Sequence, residues 1–317
     1  MIKSKKGAIQ FSFAWIFAII AGAFILFLAI YGVAKFIDIS NDSQNAETAL
    51  DLGILTNPLE SSFESSRRTT LGLSSETRIY LECKKDNSFG KQTIGISQKK
   101  FNKWSDKGVD VGFQNKYIFA DNPVEGKKFY LFSKPFEFPF KIADLIYLTS
   151  TKDKYCFIDA PEEIEKEIEN LVGKNPSSDE NFFIENCPDI SINICFKGGS
   201  NCDIKVFQNL NYVEKEGNTL YYEGDALMYA AIFADKADYE CQLGRLMQRL
   251  SKLLNIYLDK SSFLFTRLNC ASGIDAELVQ LNNLAKNFES SDELENMNNL
   301  GETIEDMSKY YGECRLW

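Results

Sequence analysis

From Ala8 to Ala34 the chain runs 27 residues without a charged side chain, and only Gln10 and Ser12 in that run are strongly polar. A helix rising about 1.5 Å per residue needs roughly 20 apolar residues to cross a bilayer core, so this run spans with a turn or two to spare. It exceeds the apolar core of roughly 7–15 residues expected of a cleaved secretory signal. Residues 8–36 therefore read as a transmembrane helix, with the lipid bilayer as the first partner. Lys3, Lys5 and Lys6 precede the span, whereas Lys35 after it is followed by Asp38, Asp42 and Glu47. Basic flanks stay in the cytoplasm. Residues 1–7 are placed inside, and about 280 residues outside.

All eight cysteines, Cys83, Cys156, Cys187, Cys195, Cys202, Cys241, Cys270 and Cys314, lie beyond the span. An even number of them on one side of a membrane reads as a disulfide framework in an oxidising compartment, with buried free thiols as the alternative. Cys195 and Cys202 flank Gly198-Gly199 and are placed to close locally. Cys241, Cys270 and Cys314 fall in a helical C-terminal part, where at least one bond from Cys241 is expected. The chain has no histidine. That removes Ser-His-Asp and Cys-His catalysis, and with no Cys-x-x-Cys pair it leaves no ordinary zinc set. No metal, cofactor or catalytic residue is assigned.

Setting aside the four lysines beside the span, 31 basic residues stand against 45 acidic ones, about −14 for the exported part. Such a surface repels phosphate backbones, so nucleic acid is not expected as a partner.

The exported part divides by pattern into a stalk (37–75), a β-rich region (76–223) and a helical region (224–317). The stalk is rich in Ser, Asn, Asp and Glu, and Asn57-Pro58 interrupts it, because proline disfavours helix in the residue before it. Short β-type runs at 77–81, 93–96, 117–119, 129–132 and 155–158, separated by Gly, Asn, Asp and Lys clusters, predict antiparallel strands. The aromatic run Phe136–Phe140 reads as core packing, with an exposed binding edge as the alternative. Asp159-Ala160-Pro161-Glu162 carries helix-start signals with Asp159 as the cap, and Ile164, Ile168 and Leu171 share one face. Strands are expected again at 190–196, 204–207 and 220–222. Beyond Gly224, Asp235 and Asp238 open a long helix bearing Leu243, Leu246, Leu250, Leu253 and Tyr257 at spacings of three and four. The fold class is α+β with one N-terminal transmembrane helix and a disulfide-stabilised ectodomain.

No Gly-x-Gly-x-x-Gly, Gly-Lys-Ser/Thr or Gly-x-Ser-x-Gly motif is present. Ser97 and Lys100 satisfy Ser-x-x-Lys, at a frequency chance supplies in a chain this rich in both. Asn41-Asp42-Ser43 is a glycosylation sequon just outside the membrane.

Lys5-Lys6-Gly7-Ala8-Ile9, followed by Gln10-Phe11-Ser12-Phe13, resembles the start of archaeal type IV pilin-like proteins. The resemblance implies a peptidase cut between Gly7 and Ala8 and an apolar helix that packs in a filament. Gln10 and Ser12 match the first two places of that family's Gln-x-Ser-x-Glu opening, and Ala14 stands in the third. An uncleaved signal anchor is the other reading of this segment. Either way the sequence points to a membrane-anchored structural or interaction protein of the cell envelope, with a protein partner met through the ectodomain or the membrane helix. A membrane-tethered carboxylate hydrolase of envelope polymers and an accessory subunit of an export or sensory complex are the alternatives.

Overall fold

The computed structural model describes residues 13–55, 68–86, 89–100, 102–173, 179–310 and 314–317. Helix α1, Phe13–Leu55, is one unbroken element of 43 residues, about 65 Å long at the standard rise. None of the stretch Trp15–Val33 is buried within the molecule. Its large apolar side chains stand exposed at consecutive positions, among them Trp15, Ile16, Phe17, Phe24, Ile25 and Leu26. A surface helix keeps a polar face, and this stretch has none. The end of α1 behaves differently, because Ala49 and Leu52 are fully buried. The stalk region 37–75 is helical as far as Leu55, where it docks, and from Thr69 onward it belongs to the first strand, while Asn57-Pro58 lies outside the described residues.

What α1 docks into is a curled sheet built from β1 (Thr69–Lys84), β2 (Lys91–Lys100), β3 (Lys103–Trp104), β4 (Val111–Phe113), β5 (Ile118–Phe119), β6 (Val124–Glu137) and β7 (Lys141–Ser150). The strand order is β3-β2-β1-β6-β7-β5, with β4 also on β2. All pairs are antiparallel except β5 with β7. The buried amide of Gln92 on β2 pairs both ways with the backbone of Ile118 on β5, at 2.9 and 2.8 Å, which brings the two sides of the sheet together. Inside the curl lie Ile79, Leu81, Ile94, Ile96, Phe129 and Leu131, and Ala49 and Leu52 of α1 close the open side.

Strand β7 is the spine of the molecule. Ile146 and Leu148 point into that inner cluster, whereas Leu145 and Tyr147 point into a second, larger one. A strand buried on both faces reads as a continuous apolar run without alternation, which is why no strand is predicted there from sequence.

The second sheet contains β8 (Tyr155–Ile158), β9 (Phe182–Ile184), β10 (Ile192–Cys195), β11 (Ile204–Phe207), β12 (Tyr212–Lys215) and β13 (Asn218–Tyr221), in the order β13-β12-β11-β10-β8-β9. Here the antiparallel expectation fails, since β8 runs parallel to both β9 and β10, and β10 parallel to β11. Parallel neighbours need a crossover, and helix α2 (Glu162–Val172) supplies it between β8 and β9. Ile164, Ile168 and Leu171 are its buried face. Its start differs from expectation: Pro161 is the capping position with no side-chain bond, and Asp159 sits at a left-handed φ of 52°. A residue in that conformation cannot take the extended backbone of an N-cap. Strands β12 and β13 form a hairpin over Glu216-Gly217, whose φ values of 52° and 74° suit a type I′ turn.

Four helices complete the larger core: α3 (Gly224–Phe233), α4 (Lys236–Leu268), α5 (Asp275–Lys286) and α6 (Leu294–Tyr310). The Asp235 side chain caps α4 by accepting from the Asp238 backbone N–H at 2.8 Å. In α3 every residue from Ala226 to Phe233 is buried. Phe136, Phe138 and Phe140 are core residues, with Phe140 against Tyr257 and Trp317 at 4.5 and 5.1 Å. One buried cluster reaches from Tyr117 to Leu316, so the division at 223/224 runs through a single core.

Candidate functional site

The apolar part of α1 has no packing partner among the described residues, and the way its far end is held fixes what it can do. Ala49 and Leu52 pack into the curled sheet, while Gly53 lies against Phe113 of β4 so closely that an added Cβ would stand 2.0 Å from the ring. Glycine costs about 1 kcal/mol relative to alanine within a helix, and here it permits that close approach. Between this seat and the apolar stretch the helix continues without a break. The disulfide-bonded domain and the apolar rod are therefore joined by a stiff element and not by a flexible linker. Gly22 and Gly32 have open space around them, so a second helix meets no side chain of this molecule there.

The residues singled out from sequence fall in different places. Gly7 and Ala8, the two sides of the expected cut, lie outside the described residues, and Ala14 is in the first turn of α1. Asn41 falls within α1 and not in a loop. The eight cysteines stand in four bonded pairs: Cys83–Cys241, Cys156–Cys187, Cys195–Cys202 and Cys270–Cys314. The expected bond from Cys241 into the helical end is corrected, because the first turns of α4 face the end of β1 and meet Cys83 there. Cys270 and Cys314 instead close the helical end on themselves. Ser97 and Lys100 lie three apart on β2, which puts them on opposite faces of the sheet and rules out a dyad. Ser97 is buried, and its hydroxyl donates to the Ser105 carbonyl at 2.5 Å.

The acidic excess is not spread evenly. Residues 68–154 carry 16 basic and 10 acidic side chains, a net of about +6, whereas residues 155–317 carry 14 basic and 29 acidic, about −15. The curled sheet that seats α1 is thus the positive part of the molecule, a feature the total charge conceals. Ion pairs join the two parts: Lys134 of β6 meets Glu167 of α2 at 2.7 Å, and Lys215 of β12 meets Asp121 at 2.6 Å.

Two carboxyl groups in the acidic part are displaced furthest. Asp238 is pushed up to about 7, chiefly by burial and then by Asp235, with Glu82 adding to the effect and a hydrogen bond with Asn122 opposing it. Glu223 is pushed up to about 6 by burial and by the charge of Glu302. For Asp238 the native state holds the proton more tightly than the unfolded chain, whose value is near 3.8. Stability is therefore complete below that value and falls as pH rises through about 7. The Asp238 contribution to the melting temperature is expected to be lost between about pH 4 and pH 7, and Asp238→Asn is expected to flatten the drop. An unchanged slope in the variant would place the effect elsewhere.

Glu223 lies in a cleft of about 390 Å3 between the β12–β13 hairpin and the start of α6, lined also by Tyr212, Tyr221, Tyr222, Glu295 and four asparagines. Among the described residues no cluster of three or more His, Cys, Asp or Glu is arranged to hold a metal. The chain matches no known protein family, and no curated protein or solved structure resembles it.

Proposed function

We propose that this chain is a membrane-anchored structural or interaction subunit of the cell envelope, of pilin-like type, with its disulfide-bonded domain outside the cytoplasm. The observation that carries the proposal is helix α1: a continuous 43-residue rod, apolar on all sides over Trp15–Val33 and docked into the curled sheet at Ala49 and Leu52. Apolar surface exposed on every side of a helix is stable in water only at great cost, at roughly 25 cal/mol for each Å2. Lipid or neighbouring apolar helices remove that cost. Four disulfides favour an oxidising compartment for the domain, and lysines at positions 3, 5 and 6 favour a cytoplasmic N-terminus.

The small residues Ala18, Ala21, Gly22, Ala23 and Gly32 permit close approach of a second helix within the bilayer. A rigid junction passes the position of that helix directly to the ectodomain, as a subunit packed by its helix requires. N-terminal sequencing of the mature protein extracted from membranes tests the pilin-like version. A mature chain starting at Ala8 supports it; a retained Met1 or a lysine-rich start overturns it and leaves an uncleaved anchor.

A further inference from the structure

We propose that the cleft between the β12–β13 hairpin and α6 binds a neutral saccharide. Its walls combine aromatic rings with amides. Tyr212 packs against Phe207 at 4.6 Å and Tyr221 at 5.8 Å, and both tyrosines are half-buried. The apolar C–H faces of a pyranose ring pack on such rings, which offer large rigid area at low entropic cost. Asn209, Asn211, Asn298 and Asn299 bring four amides to the same space, each offering donors and an acceptor, as an array of hydroxyl groups demands.

The backbone that presents them is fixed as well. Asn211 adopts a left-handed conformation at φ 51°, and its carbonyl accepts from the Tyr222 N–H at 2.8 Å, which ties together the two ends of the hairpin that line the cleft. The side chain of Asn211 also approaches Glu223, at 3.5 Å. A volume of about 390 Å3 lies within the range of small-molecule sites.

Charge selects the class of ligand. Glu223 and Glu295 line the cleft and, among the described residues, no lysine or arginine does, so phosphates, nucleotides and uronic-acid polymers are repelled. Paired with amides, the carboxylates accept hydrogen bonds from hydroxyl groups and leave the site suited to uncharged sugars.

The full-length protein in mild detergent, titrated separately with maltotriose, mannotriose and chitotriose, tests the proposal. Saturable binding of at least one of the three is expected below about 10 mM, the weak range of single-site recognition. Asn298→Ala is expected to weaken it about tenfold and Tyr212→Leu at least as much, whereas Lys103→Ala on the other sheet leaves it unchanged. Asn299→Ala, an exposed position on α6, serves if Tyr212→Leu does not fold. Absence of saturable binding by all three sugars overturns the proposal. So does binding that Asn298→Ala and Asn299→Ala both leave intact, or binding that polygalacturonate matches.

Discussion

Replacing Arg245 by alanine is expected to lower the stability of the disulfide-bonded domain by about 2–5 kcal/mol, the range for emptying a large buried side chain and leaving its neutral acceptors without a donor. Arg245 on α4 is wholly buried. Its Nε donates to the Phe89 carbonyl at 3.1 Å, Nη1 to the Lys116 carbonyl at 2.9 Å and to Gln242 Oε1 at 2.6 Å, and Nη2 to the Gln114 carbonyl at 2.9 Å. It also stacks over Tyr117, 4.7 Å from the ring centre. Alanine leaves the buried Lys116 carbonyl and Gln242 amide oxygen without this donor, strips the part-buried carbonyls of Phe89 and Gln114 of theirs, and opens a void where the side chain lay. Urea unfolding of the protein in mild detergent, with and without the substitution, checks the figure. A loss under about 1 kcal/mol would mean that water replaces the guanidinium freely.

A loss of similar size, about 5 kcal/mol, is expected when Cys83 and Cys241 are both replaced by serine. This bond closes a sequence separation of 158 residues, and the entropy it removes from the unfolded chain grows with the logarithm of that length. Replacing the pair Cys195 and Cys202, only seven residues apart, is expected to cost less on the same reasoning. Comparing the two double-serine variants by thermal unfolding separates the length effect from any general need for disulfides. Cys241 and Arg245 lie one turn apart on α4 and fasten it to the same end of the curled sheet, so their losses are expected not to add.

Features set by local pattern were readable in the sequence. The charge-free run from Ala8 to Ala34, the buried face of Ile164, Ile168 and Leu171, and the Asp235 cap all rest on neighbours within a turn or two. Features set by distant contacts were not. Strand β7 shows no alternation because it is buried on both sides. Thr69–Gly72 look like a polar stalk until β6 pairs with them. The parallel pairing of β8, β9 and β10 depends on where α2 crosses, which spacing alone does not fix.

The site features divide in the same way. Eight cysteines announce a framework, but Cys241 finds Cys83 only because β1 and the start of α4 converge. The cleft joins Tyr212 and Tyr221 of one hairpin to Asn298 and Asn299 of α6, nearly 80 residues later. A cluster of tyrosine and asparagine around 209–222 was the only local signal for it, and β12 itself was missed. Net charge misleads for a related reason, since the sum hides the opposed signs of the curled sheet and the rest of the disulfide-bonded domain.

The central claim is that α1 anchors an ectodomain lying outside the cytoplasm. A membrane-impermeant amine reagent applied to intact cells, with the labelled lysines identified by mass spectrometry, tests it most directly. Exposed lysines of the ectodomain such as Lys103 and Lys127 should be modified without permeabilisation, and Lys3, Lys5 and Lys6 should be modified only after it, or be absent from a cleaved chain. Labelling of Lys103 and Lys127 only after permeabilisation would contradict the claim.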